Sequence, residues 1–353
     1  MAKAKVLMKG NHAIAEAAIR AGCDFFAGYP ITPQSEILEY MSSHLEKAGG
    51  GFIQSESEIA GISMVYGAGT CGFRAMTASS GPGFDLMQEG ISYLAGGQVP
   101  AVIVTVMRVF PGLGNTTTSQ GDYLQIAKNG GHGDYRVISL APGNVQEAVD
   151  YTAKAFDLAF KYRSPVIVAI DGNIGQMVEA IDLPDERYKH EPEKYSDWAI
   201  LHERTNLHKV VGQNAVDPVG FDKWIREKTK AMESEAMWEE FYTDDADVII
   251  VAYGTCSRMC KEAVLMVREE GIKAGVIRLK TLWPFPVEAF KDKAPKAYLA
   301  IEQCSLPQMV EDVVMSVRGK APVASMTMGY TYVTMDEIVD EIKKVAGGDF
   351  EEV

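Results

Sequence analysis

The chain has 353 residues, 47% hydrophobic and 23% charged, with a formal net charge of −14. This length allows two or three domains with sizeable cores, and the acidic balance argues against nucleic acid or an anionic membrane surface as the main partner. No apolar run approaches the ~20 residues of a membrane helix, no signal-peptide pattern opens the sequence, and five scattered cysteines suit free thiols in a reducing cytoplasm.

In chain order, Asn11 is placed as N-cap of a helix over 12–21 that Gly22 closes. A short strand over 24–27 leads into Gly28-Tyr29-Pro30-Ile31-Thr32-Pro33, a turn stiffened by its prolines, and a helix over 34–47. Thr32 reads there as N-cap with Pro33 as first helical residue; alternatively it points into a site at a strand's carboxyl end, where open α/β sheets bind ligands. A strand over 52–54 precedes Ser55-Glu56-Ser57-Glu58 and a small-residue helix over 59–69. The strand over 74–79 ends in Ser79-Ser80-Gly81-Pro82-Gly83, before a helix over 84–94. Residues 101–106 are almost wholly apolar, as in a strand buried on both faces of a parallel sheet. A long polar loop follows from Met107-Arg108 to Gln120, and long loops in compact domains are often functional.

Strands over 137–140 and 166–170, separated by a helix over 145–160, complete an alternation that implies a doubly wound parallel sheet. The pattern breaks over 183–245, a stretch rich in charge, aromatics and proline with one helix over 221–242, read as an ordered linker. A second, smaller α/β unit occupies 246–353, with strands over 248–252, 274–279 and 297–301 and helices to 270 and over 306–317 and 335–345. The expected domains are therefore 1–182 and 246–353, joined by the linker.

Glu56 and Glu58 stand at a helix mouth, where the dipole stabilises either as an anion. Glu58 differs in that small apolar residues, Ile59-Ala60-Gly61-Ile62, follow it, so its carboxyl is expected to be desolvated and able to share a proton with a ligand. Arg108, at the end of the most apolar strand, is placed either to fork onto a carboxylate or to pair with a nearby acid. The Ser-Gly-Pro-Gly turn lets a flat ring approach the backbone or is a plain turn. His132 reads as a loop histidine or an acid–base group. Cys256 and Cys260 lie four apart without the further ligands that a metal or cluster needs. No P-loop, G-x-S-x-G elbow or H-E-x-x-H pair is present.

Taken together, Gly28-Tyr29-Pro30-Ile31-Thr32-Pro33, Gln54-Ser55-Glu56-Ser57-Glu58, Ser79-Ser80-Gly81-Pro82-Gly83 and Arg108 with Gln120-Gly121-Asp122 resemble the thiamine diphosphate-dependent 2-oxoacid:ferredoxin oxidoreductases, specifically the alpha-type subunit with the pyrimidine-binding domain. Tyr253-Gly254-Thr255 and Leu279-Lys280-Thr281-Leu282-Trp283-Pro284-Phe285 resemble the family's transketolase C-terminal-like domain. The resemblance implies that Glu58 hydrogen-bonds N1′ of the cofactor's aminopyrimidine and that the imino tautomer this favours takes the thiazolium C2 proton. It implies further that Thr32 and Arg108 lie beside the substrate and its carboxylate, and that Gly81, Pro82 and Phe84 contact the cofactor.

It also implies a cytoplasmic hetero-oligomer that releases carbon dioxide, passes electrons to ferredoxin and transfers the acyl group to coenzyme A. The family's Gly-Asp-Gly…Asn motif for diphosphate and Mg²⁺ is absent, Asp171-Gly172-Asn173 lying in the wrong context. The implied partners are a beta-type subunit carrying the diphosphate-binding domain, Mg²⁺ and a [4Fe-4S] cluster, a small ferredoxin-like subunit and a gamma-type subunit; this chain alone is expected to be inactive. The loop from Gly112-Leu113-Gly114 to Asp122-Tyr123 is most similar to the 2-oxoisovalerate (branched-chain) enzymes, with 2-oxoglutarate enzymes next. A non-redox 2-oxoacid decarboxylase half and a non-catalytic scaffold subunit are the competing readings.

Overall fold

The computed structural model describes residues 5–200, 217–330 and 333–353. Its first sheet has seven strands: β2 (Phe25–Gly28), β3 (Gly51–Gln54), β4 (Ala75–Ser79), β5 (Ala101–Met107), β6 (Ile138–Leu140), β7 (Pro165–Asp171) and, from far along the chain, β12 (Thr281–Trp283), in the order β12-β6-β7-β5-β4-β2-β3. All neighbours are parallel except β12, which runs antiparallel to β6. A two-stranded antiparallel ribbon joins β1 (Val6–Lys9) to β8 (Val178–Ile181). The second sheet contains β9 (Trp238–Phe241), β10 (Val248–Ala252), β11 (Ala274–Leu279), β13 (Ala297–Glu302) and β14 (Val323–Thr327), ordered β14-β13-β10-β11-β9, with β9 antiparallel.

β5 is buried at every position because helices cover both faces of its sheet. Successive side chains of a strand point to opposite faces: Ala101, Ile103 and Met107 join one apolar layer, while Val102, Val104 and Val106 join the other with Phe26 and Ile37. The first of these layers does not stop at the unit boundary. Tyr123 and Ile126 share it with Ile249, Val251, Tyr253, Leu279, Tyr298 and Met309. One continuous core therefore fastens the two units together.

The expected alternating α/β architecture is present, with local departures. The first helix is Gly10–Arg20, starting two residues earlier than its sequence suggests, with the Gly10 amide bonded to the Met177 carbonyl (2.9 Å). Asn11 is thus a buried helical residue and not the cap. The helix expected over 34–47 is Ser35–His44 with Gln34 at its N-cap, so Thr32 does not cap it. The helix expected over 84–94 divides into Pro82–Leu86 and Gln88–Gly96. The helix expected over 221–242 is Pro218–Met232, and β9 follows within the stretch read as linker, forming the edge of the second sheet. Earlier in that stretch Arg187 ties its backbone to the first unit, donating to the carbonyls of Ala48 (2.7 Å) and Cys23 (2.8 Å). Residues 201–216 of the linker lie outside the described residues.

Candidate active site

The carboxyl ends of β2, β4 and β5 converge on one region. After β2, the turn is held from behind by three side chains: Gln34 donates to the Tyr29 carbonyl (2.9 Å), Asn11 to Pro33 (2.7 Å) and Arg108 to Thr32 (2.9 Å). The Thr32–Pro33 peptide bond is cis. Pro33 and Gln34 are buried and Thr32 is exposed, so the turn presents the threonine to solvent on a fixed backbone.

Glu58 opens the helix Glu58–Thr70, capped by Ser57, whose hydroxyl accepts from the Ala60 amide (3.2 Å). The two glutamates at this helix mouth have opposite fates: Glu56 is exposed, whereas Glu58 is only 6% exposed, with Ser79 at the end of β4 donating to its Oε1 at 3.5 Å. Gly83 lies directly against that pair. A methyl carbon there would stand 2.2 Å from Glu58 Oε1 and 2.2 Å from Ser79 Oγ, so only glycine fits. Gly81 carries a φ of +45°, and a methyl carbon there would stand 3.0 Å from Arg108 Nε. Ser80 Oγ is buried without a hydrogen-bond partner among the described residues. Phe84 is wholly buried in the core and so backs this turn from beneath.

Arg108 follows β5, 6% exposed, with one Nη on the Thr32 carbonyl and the other on Leu113 (2.6 Å). Its Nε is buried and unbonded among the described residues. No acid is paired with it in a salt bridge among the described residues, so the cation is anchored through carbonyls with donors left over. Beside it opens a cavity of about 540 Å³, walled by Gly81, Pro82, Asp85, Phe110, Asp122 and Leu306 among others. The far wall belongs to the second unit, and the loop between is pinned to it. Gln120 donates to the Tyr253 carbonyl (2.9 Å) and accepts from the Gln303 amide (3.0 Å), and Ser119 donates to the Gln303 carbonyl (3.0 Å).

Of the residues expected to form the site, Gly81, Pro82 and Arg108 line this cavity. Thr32 is tied to it through Arg108, and Glu58 lies behind the glycine turn. His132 is exposed on a different cavity with Tyr66, Tyr93 and Phe221, apart from this one. Two residues of this region were given no role in the site by the sequence. Asn11 resembles a cap by position, and its service to the Pro33 carbonyl arises only from folding. Asp122 sits in the long loop, where burial and the charge of Asp85 push its carboxyl up to about 7 against the pull of Arg108.

Among the described residues no group of histidine, cysteine, aspartate or glutamate is arranged to hold a metal. Asp171 is fully committed elsewhere: its oxygens accept from Thr255 N (2.7 Å), Thr255 Oγ1 (2.5 Å) and Ile174 N (3.2 Å), fixing the first helix of the second unit to the end of β7. Cys256 and Cys260 are buried, with Met328 Sδ 3.6 Å from Cys256 Sγ.

The fold and site define an α/β ligand-binding protein of the doubly wound type, with a buried acid and an anchored cation at adjoining strand ends. The sequence matches the family described as "Pyruvate flavodoxin/ferredoxin oxidoreductase, thiamine diP-bdg" over residues 16–242, and "Pyruvate:ferredoxin oxidoreductase core domain II" over 246–338. It is 44% identical to the ketoisovalerate oxidoreductase subunit VorB of Methanothermobacter thermautotrophicus, over 97% of this chain and 98% of that one. It is 41% identical to the 2-oxoglutarate synthase subunit KorA of Archaeoglobus fulgidus, over 87% and 90%. The 2-oxoglutarate:ferredoxin oxidoreductase of Magnetococcus marinus, whose structure contains 2-oxoglutarate, coenzyme A and succinyl-CoA, superposes with a TM-score of 0.83 at 27% identity; the match covers 98% of this chain and 66% of that one. A split-gene transketolase shares the fold (TM-score 0.60, 14% identity, 96% of this chain and 98% of that one). The chain belongs to the thiamine diphosphate-binding pyruvate flavodoxin/ferredoxin oxidoreductase family and is similar to its 2-oxoacid oxidoreductase subunits.

Proposed function

We propose that this chain is the pyrimidine-binding subunit of a 2-oxoacid:ferredoxin oxidoreductase that decarboxylates a branched-chain 2-oxoacid, 2-oxoisovalerate, to its acyl-CoA. The observation that carries the reading is the buried Glu58 carboxyl behind a turn stripped of side chains at Gly81 and Gly83. The chemistry of these groups suits an aminopyrimidine: the Glu58 carboxyl would serve a ring nitrogen, and Ser80 Oγ is a buried polar group without a partner among the described residues. Thiamine diphosphate, when bound, supplies an acidic carbon whose conjugate base adds to 2-oxo groups.

Glu58 holds a proton at Oε for the ring nitrogen, in a position from which water is excluded. Arg108 receives the substrate carboxylate with the N–H groups that Thr32 and Leu113 do not use. Thr32, whose backbone carbonyl that cation holds, would use its exposed side chain to orient the reacting carbonyl. Val109, Phe110, Leu124, Leu306 and Pro307 give the cavity an apolar wall suited to a branched side chain. The second reading, 2-oxoglutarate, rests on the similarity to KorA. It requires a second anion in a cavity whose other charged residues are Asp85 and Asp122.

Asp171, the one candidate for a diphosphate–Mg²⁺ ligand, is spent on joining the two units. The diphosphate, Mg²⁺ and the iron–sulfur cluster are assigned to a beta-type partner, with ferredoxin-like and gamma-type subunits completing a soluble assembly. Replacement of Glu58 by Gln in that assembly tests the reading. We expect 2-oxoisovalerate-dependent viologen reduction to fall by about a hundredfold or more, the scale of a lost acid–base group. Undiminished reduction would remove Glu58 from the chemistry and leave a scaffold role. A cluster-free partner would favour a non-redox decarboxylase half.

A further inference from the structure

Asp122 stands at the N-cap position of the helix Tyr123–Lys128 but makes no capping bond; its carboxyl is turned instead toward the backbone amide of Arg108. Its Oδ2 is shut away from solvent and has no hydrogen-bond partner among the described residues, and the same is true of Arg108 Nε. Both residues line the cavity that Gly81 and Pro82 close at one end. A buried carboxyl oxygen and a buried N–H without partners are costly to a fold unless something else satisfies them. The charged and amide side chains beside them are otherwise engaged: Gln125 donates to Asp85 (2.7 Å), and the two Nη groups of Arg108 hold Thr32 and Leu113.

We propose that Asp122 is a further residue of the substrate site, which in its protonated form donates a hydrogen bond to the carboxylate that Arg108 receives. The proposal rests on the placement of that carboxylate at Arg108 given above. A neutral carboxylic acid and a guanidinium are both donors, so together they enclose an anion on two sides. An ionised Asp122 would instead repel it.

The groups that face Asp122 decide which form is present. Asp85, from the helix Pro82–Leu86, disfavours the charge; Arg108, from the end of β5, favours it; the Cys304 thiol across the cavity is kept neutral by its own burial. Burial is the largest influence, and the balance places the titration at about 7. Substrate binding is therefore coupled to a proton: below that pH the donor is in place, and above it a proton must be taken up before the anion is accepted. At saturating substrate the coupling disappears, so it belongs in KM and not in kcat.

The test is the pH profile of KM for 2-oxoisovalerate in the assembled complex. The wild-type KM is expected to rise above pH ~7, approaching tenfold per pH unit, the limit for one coupled proton. Asp122→Asn carries an amide donor that does not ionise, and its KM is expected to lose the break. Asp85→Asn removes the neighbouring charge and is expected to move the break to lower pH, a shift that a purely structural role for Asp122 does not produce. An Asp122→Asn profile that keeps the wild-type break would overturn the proposal. Should that variant not assemble, an Asp85→Asn break that stays in place would overturn it equally. Arg108→Gln with unaltered KM would refute the underlying placement, a result distinct from either.

Discussion

Gly83→Ala isolates the placement of one carboxyl. The added methyl carbon arrives 2.2 Å from Glu58 Oε1 and 2.8 Å from its Cδ, whereas ordinary contact begins at 3.4 Å; the carboxyl must therefore retreat by about 1.2 Å. Backbone preference does not resist the change, because Gly83 lies in the helix Pro82–Leu86 and alanine is favoured over glycine in helices by about 1 kcal/mol. Ser79, also 2.2 Å away, is a short side chain that can rotate aside, which leaves the displacement to Glu58. A misplacement of about 1 Å at a reacting centre costs on the order of a hundredfold in rate, or about 2.7 kcal/mol. We expect the variant, assembled with its partners, to stay folded with a loss of about 1–3 kcal/mol from the overpacking, while kcat/KM for viologen reduction falls about a hundredfold. A correctly folded Gly83→Ala enzyme with wild-type turnover would show that the Glu58 carboxyl has no tight geometric task.

Two further outcomes concern stability and reactivity. Arg278 of β11 grips Glu147 with two bonds (2.7 and 2.6 Å) and Glu239 with a third (2.9 Å). Burial pushes the Glu147 carboxyl up, but Arg278 and the Gly143 amide outweigh it and hold its pKa below the ordinary 4.5. The stabilisation is therefore complete above pH ~4.5 and disappears as pH falls through the lower folded value. Arg278→Gln should cost about 3–5 kcal/mol in denaturant melts at pH 7, with a smaller loss in acid; an equal loss at both pH values would contradict the pairing. Burial raises the thiols of Cys23 and Cys260 to about 12 and that of Cys256 well above its ordinary value, leaving the half-buried Cys71 as the accessible one. Native alkylation at pH 8 followed by mass mapping should label Cys71 first, and early labelling of Cys260 would contradict the packing.

What the sequence disclosed follows from where the physics was local. β5 and β7 announce themselves because both faces are buried and nearly every residue is apolar. Glu58 is legible because small apolar neighbours leave its carboxyl few places to go, and the glycine turn because bulk is missing from it. Asn11 was misleading for the same reason: its local preference is for a cap, while its role is set by a carbonyl on another element. β9 and β12 are short strands whose partners lie across the chain, so periodicity alone cannot identify them. The environment of Asp122 is assembled from three separate segments and exists only in the folded protein.

β12 also bears on how the molecule comes into being. Ribosomes deliver the amino-terminal unit first, and domains generally fold as units in that order. Here, however, the outer edge of β6 receives its strand only when Thr281–Trp283 has emerged. Until then the nascent first unit presents an open sheet edge and the apolar layer that Leu279, Tyr298 and Met309 will cover, features that invite mispairing. Nascent chains are thus most in need of chaperone shelter over the long interval between the two units, and a break in the gene between them would have to be repaired by prompt reassociation of the pieces.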